Sequence, residues 1–160
     1  MKITIGMLLY LLSLDTTVYT NVSMTDTSIL EEVEIWNGEF PKKNVLYLIS
    51  AEELKKDPDL WYRRTVLLRG KPDRELLDKQ DVYCIFVTEH LSEQQVQQKI
   101  RQNIRLIYDW YLELQKALLM RKGLAEILEL TDSYLQIGSG IFTREMGLKG
   151  MSAAFCQRNT

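Results

Sequence analysis

The sequence predicts an α/β protein: a small mixed sheet with flanking helices, followed by a long amphipathic helix and a short helical hairpin. Short, almost continuously apolar segments alternate with helix-like segments over residues 1–90, a pattern typical of a sheet covered on both faces. A capped helical pattern then runs over residues 92–122. A hydrophobic content of 46% in 160 residues is enough for one buried core. We therefore predict an α/β domain over residues 1–90, two helices over 91–136 and a tail over 137–160.

The first predicted element is a helix that has Thr4 as its N-cap. Ile5, Leu8, Leu9 and Leu12 follow at the spacing of one helical face. The same apolar run resembles the start of a signal peptide, but no small-x-small cleavage site follows it, and it is too short to span a bilayer. We therefore expect a helix within a soluble, cytoplasmic protein that does not enter the membrane.

The sheet is predicted from five apolar segments separated by turn signals, with two short helices between them. Ser50 and Glu53 form a capping box that opens a helix over residues 51–56. Asn37 and Gly38 form a turn dipeptide after one of the apolar segments. The predicted strands comprise residues 18–22, 33–35, 45–49, 65–68 and 82–87, and the second short helix comprises residues 74–79.

The long helix is opened by another capping box, formed by Ser92 and Gln95. Its apolar residues alternate in steps of four and three, which is the spacing of a coiled-coil seam. About thirty helical residues span about 45 Å, more than a small sheet needs, so we expect the seam to pair with a second copy. The alternative is that the seam packs onto the chain's own sheet. The predicted dimer-interface residues are Ile100, Ile104, Ile107, Tyr111, Leu114 and Leu118.

The region beyond the long helix is predicted to fold back. Gly123 is expected to adopt the left-handed conformation that ends the long helix, and residues 124–135 are predicted to form a second helix in a hairpin. The tail from Ile137 contains four of the eight glycines and shows no steady period. We expect this tail to be poorly ordered and dispensable for folding.

The sequence offers no combination of residues expected for catalysis. His90, the single histidine, follows the last strand of the domain, where a side chain can reach a ligand crevice; a solvated junction residue is the expected interpretation. Cys84 lies within an apolar strand and is expected to be an inert core residue. One histidine and two distant cysteines do not make a metal site, and the phosphate-binding glycine motifs are absent. We therefore predict no enzyme activity, no cofactor and no bound metal.

Aromatic and basic residues occur together at two places in the sequence. Arg63 and Arg64 follow Trp61 and Tyr62, a combination that stacks on nucleobases or binds anionic metabolites. The expected interpretation is that Trp61 covers the core and that the arginines lie on its rim. On the long helix, packing against the sheet or against a second chain is expected for Tyr108, Trp110 and Tyr111.

Three stretches carry a resemblance to a known family: ITIGMLLYLL, then VEIWNG with NVLYLISAEEL, and finally IRLIYDWYLELQKALLMRKGLAEILELTDSYLQ. Together they resemble the amino-terminal region of PucR-type (purine-catabolism-regulator-like) transcriptional regulators over about residues 1–136. The resemblance implies an α/β input domain followed by a helical linker, a sensor domain and a carboxyl-terminal helix-turn-helix domain. From residue 137 the sequence departs from that pattern, so we expect a form truncated before the sensor and helix-turn-helix domains.

The resemblance and the lack of catalytic groups together predict a non-enzymatic input and dimerisation module of a PucR-like regulator. Its expected partners are a second copy or an intact regulator, together with a small-molecule ligand of unknown identity. Direct DNA binding is not expected, because the net charge is −2 and residues 1–59 hold ten acidic against five basic residues. The alternative is a stand-alone ligand-binding or protein-interaction domain that acts on a full-length regulator.

Overall fold

The computed structural model describes residues 2–87, 91–135, 140–142 and 148–151. The chain divides into two compact units, Met1–Ile104 and Arg105–Thr160. The predicted α/β fold class is confirmed, because a five-stranded mixed sheet with flanking helices is followed by a long helix and a shorter one.

The predicted strands and helices occur in the predicted order, with boundaries that differ by up to three residues, and the structure adds four short strands and a 3₁₀ helix that were not predicted. The first unit contains β1 (Ile3–Thr4), α1 (Ile5–Asp15), β2 (Val18–Thr20), β3 (Ile29–Leu30), β4 (Glu32–Ile35), β5 (Val45–Leu48), α2 (Ala51–Lys56), a 3₁₀ helix (Pro58–Trp61), β6 (Thr65–Arg69), α3 (Arg74–Leu77) and β7 (Tyr83–Val87). Helix α4 (Glu93–Leu119) begins in this unit and continues into the second, which contains α5 (Leu124–Leu135), β8 (Gly140–Phe142) and β9 (Leu148–Met151).

The five-stranded sheet has the spatial order β2-β7-β6-β5-β4. Strands β4 to β7 are parallel, and β2 pairs with β7 as an antiparallel edge strand. The chain moves one position in the same direction at each parallel connection, and such connections are right-handed, so α2 and α3 lie on the same face. Thr65 pairs with Leu46 on one side and with Tyr83 on the other. The amino ends of β5, β6 and β7 therefore meet at one edge of the sheet.

One face of the sheet is covered by α2, the 3₁₀ helix and α3. Alternate side chains of the central strands point to this face and pack with Leu54 of α2, Trp61 of the 3₁₀ helix and Leu76 of α3. Trp61 is fully buried and meets Trp36 and Tyr47 edge-on, with ring centroids 5.4 and 5.6 Å away. The strand residues of this cluster are Val45, Tyr47, Val66, Leu68, Cys84 and Phe86.

The helices on the other side are α1 and the first turns of α4. Gln97 of α4 donates a hydrogen bond to the carbonyl of Val33 in β4 (3.1 Å), and Lys99 lies 3.6 Å from the carboxylate of Asp15 at the end of α1. These contacts fix the start of α4 within the first unit, which extends to Ile104 rather than ending at residue 90. The buried residues of the two helices are Ile5, Leu8, Leu9, Leu11, Leu12, Val96, Ile100 and Ile104.

The predicted helix starts are confirmed by their hydrogen bonds. The Thr4 hydroxyl accepts from the amide of Met7 (3.2 Å), and the Ser50 hydroxyl accepts from the amide of Glu53 (3.2 Å). At the start of α4 the capping box is reciprocal: the amide of Ser92 donates to the side chain of Gln95 (2.8 Å), whose own amide donates to the Ser92 hydroxyl (3.3 Å).

The predicted role of Gly123 is wrong. The left-handed residue at the end of α4 is Arg121, with φ of 52°, and Gly123 has no positive φ. The amide of Arg121 donates to the carbonyl of Leu118 and that of Lys122 to the carbonyl of Ala117, both at 3.0 Å, which is a Schellman motif closed two residues earlier than predicted. Gly123 instead lies at the N-cap position of α5, since its carbonyl accepts from the amide of Ile127 and its amide donates to the carboxylate of Glu126.

The second unit contains the predicted helical hairpin. The indole N–H of Trp110 on α4 donates to the Thr131 hydroxyl on α5 (3.3 Å), and that hydroxyl donates to the carbonyl of Ile127 (3.0 Å). Ala117 of α4 and Leu128 of α5 are buried. The predicted disorder of the tail is not seen for β8 and β9, which pair antiparallel through backbone hydrogen bonds that the irregular side-chain pattern did not reveal. The rest of the tail lies outside the described residues.

Candidate functional site

A cavity of about 600 Å³ opens at the amino ends of β5, β6 and β7 in the first unit. Its wall is built from the residues that precede or begin these strands, together with β3 and the first residue of α1. Because the three strands are parallel neighbours, segments that are distant in sequence meet here. The wall residues with charged, polar or aromatic side chains are Ser28, Phe40, Lys43, Asn44, Asp59, Tyr62, Arg63, Arg64, Thr65 and Tyr83.

The segment that carries Tyr62, Arg63 and Arg64 is held in place by its backbone. The amide of Tyr62 donates to the carbonyl of Asp59 (3.2 Å), and the carbonyl of Arg64 accepts from the amide of Tyr83 (2.9 Å). Arg63 has φ of 52° and donates its amide to the carbonyl of Asp81 (2.6 Å). A left-handed residue of this size is uncommon and persists where surrounding contacts determine it.

The two arginines at the cavity have different surroundings. Arg64 donates through Nε to the carbonyl of Pro41 (3.0 Å) and through Nη1 to that of Tyr62 (3.3 Å), so it ties two loops together. The guanidinium of Arg63 instead lies over the ring of Tyr62, 5.4 Å from its centroid. The prediction that Trp61 is a core residue with the arginines on its rim is confirmed. The cavity that adjoins this rim was not predicted.

The opposite, carboxyl edge of the sheet is where His90 was expected as a solvated junction residue, with a ligand crevice as the alternative. His90 lies outside the described residues. At this edge Arg69, the last residue of β6, donates to the carbonyl of Leu91 and lies 3.5 Å from the carboxylate of Glu93. Arg69 therefore connects the sheet to the start of α4.

The six predicted dimer-interface residues lie in different environments. Ile100 and Ile104 are buried in the first unit, and Ile107 is buried in the second. Leu114 is half-buried. Tyr111 and Leu118 are exposed. The seam is therefore open to a partner over its carboxyl-terminal part.

An exposed apolar stripe runs along α4 in the second unit. Its members recur at spacings of three, four and seven residues, so they share one side of the helix. Each is between 41% and 84% exposed. Gln115 lies on the same side and donates to the Tyr111 hydroxyl (2.8 Å). The residues of this apolar stripe are Tyr108, Tyr111, Leu112, Leu118 and Leu119.

The remaining residues singled out in the sequence have structural surroundings. Cys84 is buried, and burial raises the pKa of its thiol to about 11, in agreement with the predicted core role. Arg105 and Asp109 form the ion pair expected one helical turn apart, at 3.7 Å. Within the described ranges, no group of three or more metal-binding side chains occurs, and no helix is long and apolar enough to cross a membrane.

Comparison with protein-family models, with curated proteins and with solved structures found no match to this chain. The resemblance to PucR-type regulators is therefore not supported by these comparisons and stays a prediction from the sequence.

Proposed function

We propose that this chain is a non-enzymatic input and dimerisation module of a PucR-type transcriptional regulator. The observation that carries the proposal is the apolar stripe of α4, an exposed helix face in the second unit. Exposed contiguous apolar surface of this kind marks interaction sites on soluble proteins. The sequence resemblance supplies the regulator family.

A second copy of the chain is the occupant that fits the stripe. The five exposed side chains present roughly 500 Å² if a fully exposed large side chain presents about 200 Å². Two copies paired face to face then bury on the order of 1,000 Å², the lower range of specific interfaces. Tyrosine and leucine give such an interface an apolar centre. The charged residues of the same helix segment pair with each other at its side, Lys116 with Glu113 at 2.6 Å and Arg105 with Asp109 at 3.7 Å.

In this proposal α4 is the element through which the input acts. Its first turns, with Val96, Ile100 and Ile104, are buried in the first unit, and its later turns carry the stripe. A ligand or partner that changes the packing of the first unit changes the strain on the start of the same helix. The equilibrium between paired and unpaired copies then shifts by the difference in binding free energy between the two states.

The proposed module acts on an intact regulator rather than on DNA. Contact with phosphates requires lysine and arginine clustered on one surface. Along α4, Arg105 and Lys116 are paired with carboxylates, and residues 1–59 carry an acidic excess. We expect no sequence-dependent complex with operator DNA in a gel-shift assay at physiological salt. A specific complex formed by this chain alone contradicts the proposal.

Sedimentation velocity tests the pairing directly. We expect a dimer at concentrations on the order of 10–100 µM, as an interface of this modest size implies, and a folded monomer for the double variant Leu112→Asp/Leu119→Asp. Leu14→Asp is the matched control, because Leu14 is half exposed on α1 of the first unit, and it should remain dimeric. An unmodified chain that stays monomeric over this range overturns the proposal, as does a control that dissociates equally.

A further inference from the structure

We propose that the cavity at the amino ends of β5, β6 and β7 binds a small organic anion that carries a flat ring. That this anion is the ligand of the input module rests on the function proposed above. The volume of about 600 Å³ lies within the range of about 300–1,000 Å³ typical of ligand sites. The walls offer aromatic rings, cations and a hydroxyl, and each of these restricts the chemistry of the occupant.

The aromatic part of the wall indicates a ring in the ligand. Phe40 is the most exposed aromatic side chain of the described residues, at 72%, and Tyr62 is 53% exposed. Both belong to the same cavity wall although 22 positions separate them in the chain. Neither ring is required by the core, which is filled on this side by Trp61 and Tyr47. A planar ligand that packs on such rings gains both burial and the edge or stacking geometry that aromatic pairs prefer.

The charges of the wall indicate an anion, because three cations, Lys43, Arg63 and Arg64, outnumber the one carboxylate of the wall, that of Asp59. Like the exposed Lys42 and Lys56 outside the cavity, Lys43 and Arg63 form no ion pair within the described ranges, so these two cations of the wall are available to a ligand. A carboxylate or phosphate on the ligand supplies the missing partner in a charge-assisted hydrogen bond.

Backbone strain and a buried hydroxyl mark the same place. Asn44 and Arg63, two of the three non-glycine residues with positive φ in the described chain, both line this cavity. Strained residues concentrate at binding sites, where the surrounding structure holds a side chain in a required direction. Thr65 is a buried polar residue at the start of β6 and lines the cavity as well. Its hydroxyl can donate to and accept from a polar group on the ligand.

The test uses 2-naphthoate as the probe, because it is a flat ring with one carboxylate. Amide chemical shifts of the full chain are followed in NMR titrations with 2-naphthoate, with the uncharged 2-naphthamide and with acetate, which lacks the ring. We expect saturable shifts at residues 43–45 and 62–65 for 2-naphthoate, and at least about tenfold weaker binding of the other two compounds, because each lacks one of the two recognised groups.

The double variant Lys43→Gln/Arg63→Gln should weaken naphthoate binding by about tenfold or more, because it removes both unpaired charges. The control Lys42→Gln/Lys56→Gln removes two exposed lysines that do not line the cavity and should bind normally. Arg64 is left intact because it ties two loops together. Equal binding of the amide, equal loss in the control, or no saturable shift at millimolar naphthoate overturns the proposal.

Sedimentation of the same samples separates this inference from the proposed function. Naphthoate binding by a chain that stays monomeric supports the anion site and contradicts the pairing module. A dimer that does not bind naphthoate leaves the pairing intact and overturns the anion site.

Discussion

The two halves of α4 have the same apolar spacing but differ in the exposure of their apolar residues. Ile100 is fully buried in the first unit, whereas Leu118, on the same predicted seam, is 58% exposed in the second. The first half lies beside α1 and β4, as the contacts of Lys99 and Gln97 show. Periodicity therefore decides which residues share a helix face, and the neighbouring elements decide whether that face is covered.

The covered side of α4 in the second unit explains why the seam is left open there. The residues that meet α5 or are buried include Trp110 and Ala117, which lie to one side of the line through Tyr111 and Leu118. Because α5 packs on that side, Tyr111 and Leu118 of the seam remain exposed at the edge of the hairpin. The following predictions test whether substitutions in the buried core of the first unit destabilise the protein more than matched substitutions in the second unit.

The largest difference is expected when one aspartate is placed in each half of α4. Ile100→Asp buries a charge without a partner and should cost about 4 kcal/mol or more of unfolding free energy. Leu118→Asp places the charge on an exposed position and should cost less than about 0.5 kcal/mol. Urea denaturation followed by circular dichroism, at concentrations that keep both proteins monomeric, measures the two values. Equal losses contradict the assignment of the two halves.

A second prediction concerns close backbone packing in the first unit. A Cβ added at Gly6 in α1 would collide with the carbonyl oxygen of Met24, which cannot move freely because it is backbone. Gly6→Ala should therefore lower the unfolding free energy by about 2–4 kcal/mol. Gly123→Ala is the control in the second unit, where a Cβ meets only the Glu126 side chain at 3.8 Å. A thermal melt that ranks Gly123→Ala as the more damaging change would argue against this packing.

A third prediction compares polar anchors in the two units. Asn21 donates to the carbonyls of Lys79 (2.6 Å) and Val82 (2.8 Å) and accepts from the amide of Cys84 (2.8 Å). Asn21→Ala leaves three partners unsatisfied and should cost about 2–3 kcal/mol. Thr131→Val removes the hydrogen bonds of the hydroxyl with Trp110 and with the Ile127 carbonyl, but leaves only the Trp110 N–H without its partner, and should cost about 1 kcal/mol. Chemical denaturation measures the unfolding free energy that each variant loses. A larger loss for Thr131→Val than for Asn21→Ala would contradict this prediction.

The smallest effect is expected at the surface pair of Lys55 and Asp73, which lie 2.6 Å apart. The hydrogen bond from Lys55 lowers the pKa of Asp73 below its usual 3.8. The resulting stabilisation is fully present above pH 3.8, the usual pKa that applies to the unfolded chain, and it is lost as the pH falls through the lowered pKa of the folded protein. Asp73→Asn, which keeps the cap on α3, should melt slightly below the wild type at neutral pH.

The melting temperatures of wild type and Asp73→Asn should converge in acid, because Asp73 is then protonated in both the folded and the unfolded wild type. Glu52→Gln serves as a control on α2 for a carboxylate that has no described ion pair. A difference in melting temperature between wild type and Asp73→Asn that stays constant from neutral to acidic pH contradicts the assigned cause.

Local signals predicted the elements well, because they depend on neighbours in sequence. The caps at Thr4, Ser50 and Ser92 were readable, since each binds an amide three residues further on. The stop at Arg121 was not, because a glycine two residues later offered a better local candidate than an arginine with positive φ. Short strand pairs such as β1 with β3 depend on a partner that is distant in sequence, so the residue pattern of either segment alone does not predict them.

The cavity was missed for a topological reason. Phe40 and Lys43 precede β5, whereas Tyr62 and Arg63 precede β6. Tyr62 and Arg63 taken alone, without Phe40 and Lys43, are better explained as the rim of the core. Only the parallel pairing of neighbouring strands brings both groups to one edge of the sheet. Strand order, which local patterns do not specify, therefore decides whether these residues form a site.

The most direct test of the central claim is amide hydrogen exchange along α4 as a function of protein concentration. If the apolar stripe binds a second copy, protection of residues 108–119 should increase with concentration, because association stabilises only the paired state. Protection of residues 96–104 should be high at every concentration, since these residues are held by the first unit's own core. Protection of 108–119 that does not change with concentration, or a concentration dependence confined to 96–104, contradicts the account.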